Sequence, residues 1–143
     1  MIRQAAIACL LLAACTGEAD NRLPGGEDTR PYAGIAPAET LRFIGTEPFW
    51  GGEVSRAGLR FSDIDDQQGR TVAATFFRGR GGASWSGELD GAPFTLLASE
   101  GECSDGMSDR TYPYSVTVER GEQLLSGCGW TEARPFTEPE GEG

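Results

Sequence analysis

Residues 112–120, YPYSVTVER, set the strictest limit on the fold, because apolar and polar side chains alternate there without a break. In an extended chain Tyr114, Val116 and Val118 point one way while Ser115, Thr117 and Glu119 point the other, the pattern of a strand buried on one face. The same period of two recurs at Leu41-Arg42-Phe43 and at Leu59-Arg60-Phe61-Ser62. It recurs again where Trp85, Gly87 and Leu89 interleave with Ser84, Ser86 and Glu88. Further strands are predicted over 52–55, 71–77, 94–99 and 123–128. Between these runs, Arg56-Ala57-Gly58, Asp90-Gly91 and Arg120-Gly121-Glu122 have the composition of short hairpin connections. No window carries a helical period. About eight short strands in one small domain predict an all-β fold, an antiparallel barrel or sandwich. The 21 glycines suit sharp bends in a closed sheet. The expected interior is filled rather than hollow, with Phe43, Trp50, Phe61, Phe76, Trp85, Leu96, Val116 and Val118 meeting inside.

The beginning of the chain carries a different signal. Arg3 is followed by an apolar run from Ala5 to Leu12, too short to cross a bilayer as a helix, then by small residues at Ala13 and Ala14 directly before Cys15. This order resembles a bacterial lipoprotein signal peptide with the lipobox Leu12-Ala13-Ala14-Cys15. The resemblance implies that Cys15 becomes the lipid-modified first residue of the mature chain. It also implies a location in the cell envelope, anchored to the membrane and facing the periplasm. Inner and outer membrane both stay open, since Thr16 follows Cys15 where an aspartate would signal inner-membrane retention in enteric bacteria. The domain plan that follows is a signal peptide over 1–14, a lipidated cysteine and disordered tether over 15–37, a β-domain over 38–133 and an acidic tail over 134–143. The tether is rich in Gly, Pro and acidic residues with no apolar period, and the tail is expected to fray.

With Cys9 lost in the signal and Cys15 carrying the lipid, Cys103 and Cys128 remain as an even pair. An oxidising compartment predicts that they form a disulfide. No C-x-x-C spacing supports a redox-active role for them.

The charges narrow the chemistry. The chain has 22 carboxylate residues against 12 cationic ones, all of them arginine, and contains no histidine. Ser-His and Cys-His nucleophile systems and His-built zinc sites are therefore excluded within this chain. The absence of lysine removes Schiff-base chemistry and the phosphate-loop lysine. Carboxylate-pair chemistry is the enzyme class that survives. A net charge of −10 disfavours nucleic acid as a partner and favours cationic ones. No cofactor or metal is expected. The Asp63–Gly69 stretch has its glycine one place late for a calcium loop and Ala74 where the bidentate glutamate belongs.

Two segments concentrate unusual residues. In Gly45-Thr46-Glu47-Pro48-Phe49-Trp50-Gly51, Pro48 marks a turn between strands. Glu47, Phe49 and Trp50 are then either a binding ledge with an aromatic platform or a plug closing one end of the fold. In residues 103–114, Ser104, Asp105, Ser108 and Asp109 can either hold a ligand or cap their own backbone amides in a tight turn. Arg78-Gly79-Arg80 reads as a glycine-rich hairpin tip or a weak anion clamp.

Together the G-T-E-P-F-W segment, the C-S-D-G-M-S-D-R-T-Y-P-Y segment and Leu125-Ser126-Gly127-Cys128 resemble a family of small bacterial envelope lipoproteins. The likeness spans Leu41 to Trp130. It implies envelope location, lipid anchoring and a compact domain stapled by Cys103 and Cys128, and it carries no catalytic residue.

The expectation is thus a non-enzymatic lipid-anchored module that binds or protects, its ligand a basic protein or a glycan, with inhibition of a lysozyme as a specific version. Two alternatives stand beside it. One is a glycan hydrolase using Glu47 with Asp105 or Asp109, which needs the carboxyl groups roughly 5–9 Å apart. The other is an envelope-assembly or stress factor that docks another protein through apolar surface near Phe49 and Trp50.

Overall fold

The computed structural model describes residues 30–139. Cys15, the signal sequence and most of the tether lie outside the described residues, as do the last four residues of the tail.

The described chain is all β. Its strands are β1 (Leu41–Thr46), β2 (Phe49–Ser55), β3 (Gly58–Asp63), β4 (Arg70–Val72), β5 (Ala74–Arg78), β6 (Gly82–Leu89), β7 (Ala92–Cys103), β8 (Tyr112–Arg120) and β9 (Gln123–Trp130). They form one antiparallel sheet of nine strands in the order β4-β3-β2-β1-β9-β8-β7-β6-β5. Because β4 and β5 adjoin in sequence yet stand at opposite edges, the sheet curls into a nearly closed barrel. The disulfide Cys103–Cys128 is formed, with Cα atoms 5.6 Å apart.

Nine strands replace the expected eight because the run 71–77 breaks at Ala73. The chain leaves β3 there and crosses the seam to β6. Gly87 permits the crossing: a methyl group on it would collide with the Ala73 carbonyl and press on Val72. Turn chemistry matches sequence at the β6–β7 and β8–β9 hairpins, where Gly121 also has positive φ, but the glycines of the Arg78–Gly82 tip do not have it. Asp90 and Gly91 both have positive φ (52° and 78°), the two left-handed positions of a type I′ hairpin. Glu47-Pro48 is a cis peptide in a two-residue connection, with Thr46 paired to Phe49.

Alternating residues fill the interior. Phe43, Phe61, Phe94, Leu96, Val116 and Val118 are all buried, with Phe61 edge-on to Phe94 at 5.3 Å. Trp50 belongs to this group, 5% exposed and lying between Phe43 (6.0 Å) and Phe61 (6.1 Å). The indole has room because Gly45 and Gly127 present bare backbone to it; a methyl group at either would strike the ring.

Phe76 departs from the expected interior set. It is 36% exposed, because β5 is an edge strand and its inward side faces the seam rather than another wall. The ring instead leans on Trp85 at 5.2 Å.

Both flanking segments differ from expectation at their inner ends. Residues 30–37, read as tether, strap the body: Ile35 is 2% exposed within the core, Tyr32 N donates to Gly79 O at 2.8 Å and Tyr114 Oη donates to Gly34 O at 2.9 Å. The tail does not fray over 134–139. Thr111 and Thr137 exchange backbone hydrogen bonds, Arg134 pairs with Glu100 at 2.7 Å, and Phe136 packs on Tyr112 and Trp130 at 5.4 and 5.5 Å.

Candidate functional site

β7 runs on past the end of β6 to Cys103, and the connection from Cys103 to Tyr112 folds back over the outside of the barrel as a flap. Two fixings hold it. The disulfide joins its root to β9, and Thr46 Oγ1 donates to Asp105 O at 2.8 Å, tying the flap to the start of the β1–β2 turn. The two segments singled out in the sequence therefore meet. Between them lies an open cleft of about 740 Å³, walled by Glu47 on one side and by Ser104, Asp105 and Met107 on the other. Its floor is the outer face of β1, β8 and β9, contributed by Ile44, Thr117, Leu124 and Ser126.

The flap satisfies itself. The Asp105 carboxylate accepts from Ser108 Oγ (2.7 Å), Ser108 N (2.7 Å), Met107 N (2.9 Å) and Tyr112 Oη (3.1 Å). Those donors, Ser108 first, hold its carboxyl far below the usual carboxylate range. Ser104 Oγ accepts from Gly106 N at 3.2 Å and Ser108 Oγ from Arg110 N at 3.3 Å. Of the two readings of this loop, self-capping is the one the hydrogen bonds satisfy, and it preforms one wall of the cleft.

Of the sequence candidates, Glu47, Ser104 and Asp105 come together at the cleft, Asp105 through its backbone and a committed carboxylate. Trp50 is core rather than ledge, its indole enclosed by Phe43 and Phe61. Phe49 is 54% exposed but stands apart from the cleft, beside Ile64 and Arg60 on the outer side of β2 and β3. Ser108 and Asp109 do not line the cleft. Sequence reasoning missed Thr46, the hook of the flap, and Met107, which is 68% exposed at the cleft edge. The uncharged outward row of β8 and β9 (Ser115, Thr117, Ser126) was the available signal for the floor, since an ordinary solvated face of so acidic a chain carries charge.

A second charged constellation closes the barrel end that holds the β6–β7 and β8–β9 turns. Arg70 pairs with Asp63 (2.9 Å), Asp66 (3.2 Å) and Asp90, and Arg120 pairs with Asp63 (3.1 Å) and Asp90 (3.3 Å). These carboxylates face guanidinium groups. Among the described residues no group of three or more His, Cys, Asp or Glu is placed to hold a metal ion.

Fold and site together define a disulfide-stapled β-barrel with one preformed outer cleft under a flap. No family model matches the chain, and no curated protein or solved structure matches it either.

Proposed function

We propose that this protein is a lipid-anchored envelope module, tethered through Cys15, that binds a basic protein in the cleft between Glu47 and the flap. The observation that carries the reading is the junction of the two motifs, Thr46 to Asp105, over one concave surface. Stapling by Cys103–Cys128 fixes the flap before any ligand arrives, which lowers the ordering cost of binding. The flap and its root carry Glu102, Asp105 and Asp109, Glu47 faces them, and the only cation among them, Arg110, is taken up by Glu138 (2.7 Å) and the Phe136 ring (4.5 Å). A cleft walled by Glu47 and Asp105, with Glu102 and Asp109 on the same flap and its root and a net charge of −10 on the chain, attracts a cationic partner and speeds its association.

A glycan hydrolase finds less support. The Asp105 carboxylate is saturated by its own loop, and Glu47 is exposed, without the apolar enclosure that turns a carboxylic acid into a general acid. An assembly factor is the better second reading, favoured by exposed Phe49 (54%) and Ile64 (60%) side by side.

Lysozyme, a small basic protein, is the first probe. The mature chain in stoichiometric excess at low salt is expected to slow lysis of peptidoglycan. Glu47→Gln should weaken the effect several-fold, chiefly through the association rate. Unchanged lysis rates would remove the lysozyme version of this proposal.

A further inference from the structure

The short turns at the two ends of the barrel differ in charge, although the long β7–β8 connection, which starts at the same end as the β2–β3 and β5–β6 tips, carries Asp105 and Asp109 and folds away along the barrel wall to Thr46. At one end every connection carries a carboxylate: Glu47 in β1–β2, Asp65 and Asp66 in β3–β4, Asp90 in β6–β7 and Glu122 in β8–β9. At the other end the β2–β3 and β5–β6 hairpin tips carry Arg56, Arg78 and Arg80 and no carboxylate. The β2–β3 tip borders a hollow of about 290 Å³, to which Arg56, Phe76 and Trp85 contribute along with Glu39. No ion pair among the described residues involves these three arginines. The Arg78 guanidinium instead lies over the Phe76 ring at 5.5 Å, and next to it Phe77 stands 65% exposed. In a chain of net charge −10 this is a local reversal of sign joined to exposed aromatic surface.

The route of the chain gives that surface a direction. Tyr32 N donates to Gly79 O at 2.8 Å, so the strap on the Cys15 side of the barrel lies beside the Arg78–Arg80 tip at Tyr32. We propose that Phe77, Arg78 and Arg80, with Arg56 beside them, form a docking surface for the anionic headgroups of a lipid bilayer. Its orientation rests on the anchored reading above: an acyl group at Cys15 would bring this end of the barrel to the membrane. Guanidinium forks match phosphate oxygens, and an aromatic ring at their side suits the boundary between headgroups and acyl chains. The acidic end does not cancel the attraction at physiological salt. Eight-residue β6 alone spans roughly 26 Å, well beyond a screening length of about 10 Å at 0.1 M salt. Docking this way also leaves the rest of the barrel surface, the cleft under the flap included, to soluble partners.

The test uses the whole mature chain carrying Cys15→Ser, so that the surface acts without the acyl group. Sedimentation with vesicles at about 0.1 M salt compares phosphatidylcholine alone with phosphatidylcholine containing about one-third phosphatidylglycerol. Partition is expected to be at least about ten-fold stronger onto the anionic vesicles. The R56Q/R78Q/R80Q variant should lose about a hundred-fold, roughly five-fold for each arginine. Phe77→Ser should lose several-fold, and both variants should melt at the temperature of the parent. Equal partition onto the two vesicle types overturns the proposal, as does a folded triple variant that partitions like the parent. The anchored reading is tested separately, by the mass of the amino-terminal residue in the native membrane fraction, so either can fail alone.

Discussion

Asp63 Oδ2 accepts from Arg70 Nη2 at 2.9 Å and from Arg120 Nη1 at 3.1 Å, while Oδ1 accepts from the amides of Asp65 (3.1 Å) and Asp66 (2.9 Å). One side chain thereby joins the end of β3 to the first residue of β4 and the last of β8. Asp90 closes the ring by pairing with the same two arginines. Desolvation pushes the Asp63 pKa up, but the amides and the two guanidinium groups outweigh it and the net direction is down. A carboxyl whose folded-state pKa is depressed adds stability that is fully present above the unfolded value of about 4 and is lost as pH falls through the folded value. Asp63→Asn should therefore cost about 1–2 kcal/mol at neutral pH, and should flatten the decline in stability on acidification below about pH 4. Urea unfolding of both proteins at neutral pH and in acid checks this. Parallel stability–pH curves would show that the ring contributes nothing through this group.

At the scale of elements, the flap depends on a covalent link and a single hydroxyl. The sequence marks this element well, since the pairing expected of Cys103 with Cys128 and the density of Asp, Ser and Gly after Cys103 both point to an ordered loop. Its landing place was not legible. Thr46 has no local feature that marks it as a partner for residue 105, and the contact arises only because β1 and β9 pair and the flap folds back across them. The disulfide closes a loop with a sequence separation of 25, for which chain entropy gives roughly 3.5 kcal/mol. The double variant Cys103→Ala/Cys128→Ala should accordingly lose about 3 kcal/mol and melt about 15 °C lower, while keeping its β-sheet circular dichroism. A loss of under about 3 °C would mean that barrel and flap are held without the staple.

At the scale of the whole molecule, period-two alternation delimits a body of residues 38–133, and that boundary is too narrow. Alternation reads β8 correctly because β8 lies inside the sheet with one face to the core and one outward. It reads β5 poorly because an edge strand at a seam has lost one of its walls, which is why Phe76 is exposed. It cannot read the strap and tail at all, since these pack through isolated side chains, Ile35 and Phe136, with no period around them. Yet both ends of the body depend on them. Ile35 sits in the main core, Arg134 lies over the Tyr114 ring at 5.1 Å while pairing with Glu100, and Phe136 completes a triad with Tyr112 and Trp130. Removing a buried isoleucine costs about 2–5 kcal/mol and an aromatic contact about 1 kcal/mol more. A chain cut to residues 38–133 should therefore be about 3–6 kcal/mol less stable than residues 30–139, a large share of the 5–15 kcal/mol that a domain commonly has. Urea titration of the two forms decides the matter. If their unfolding free energies agree within about 0.5 kcal/mol, strap and tail merely lie on a finished barrel; a gap of the expected size means that the barrel is finished by them.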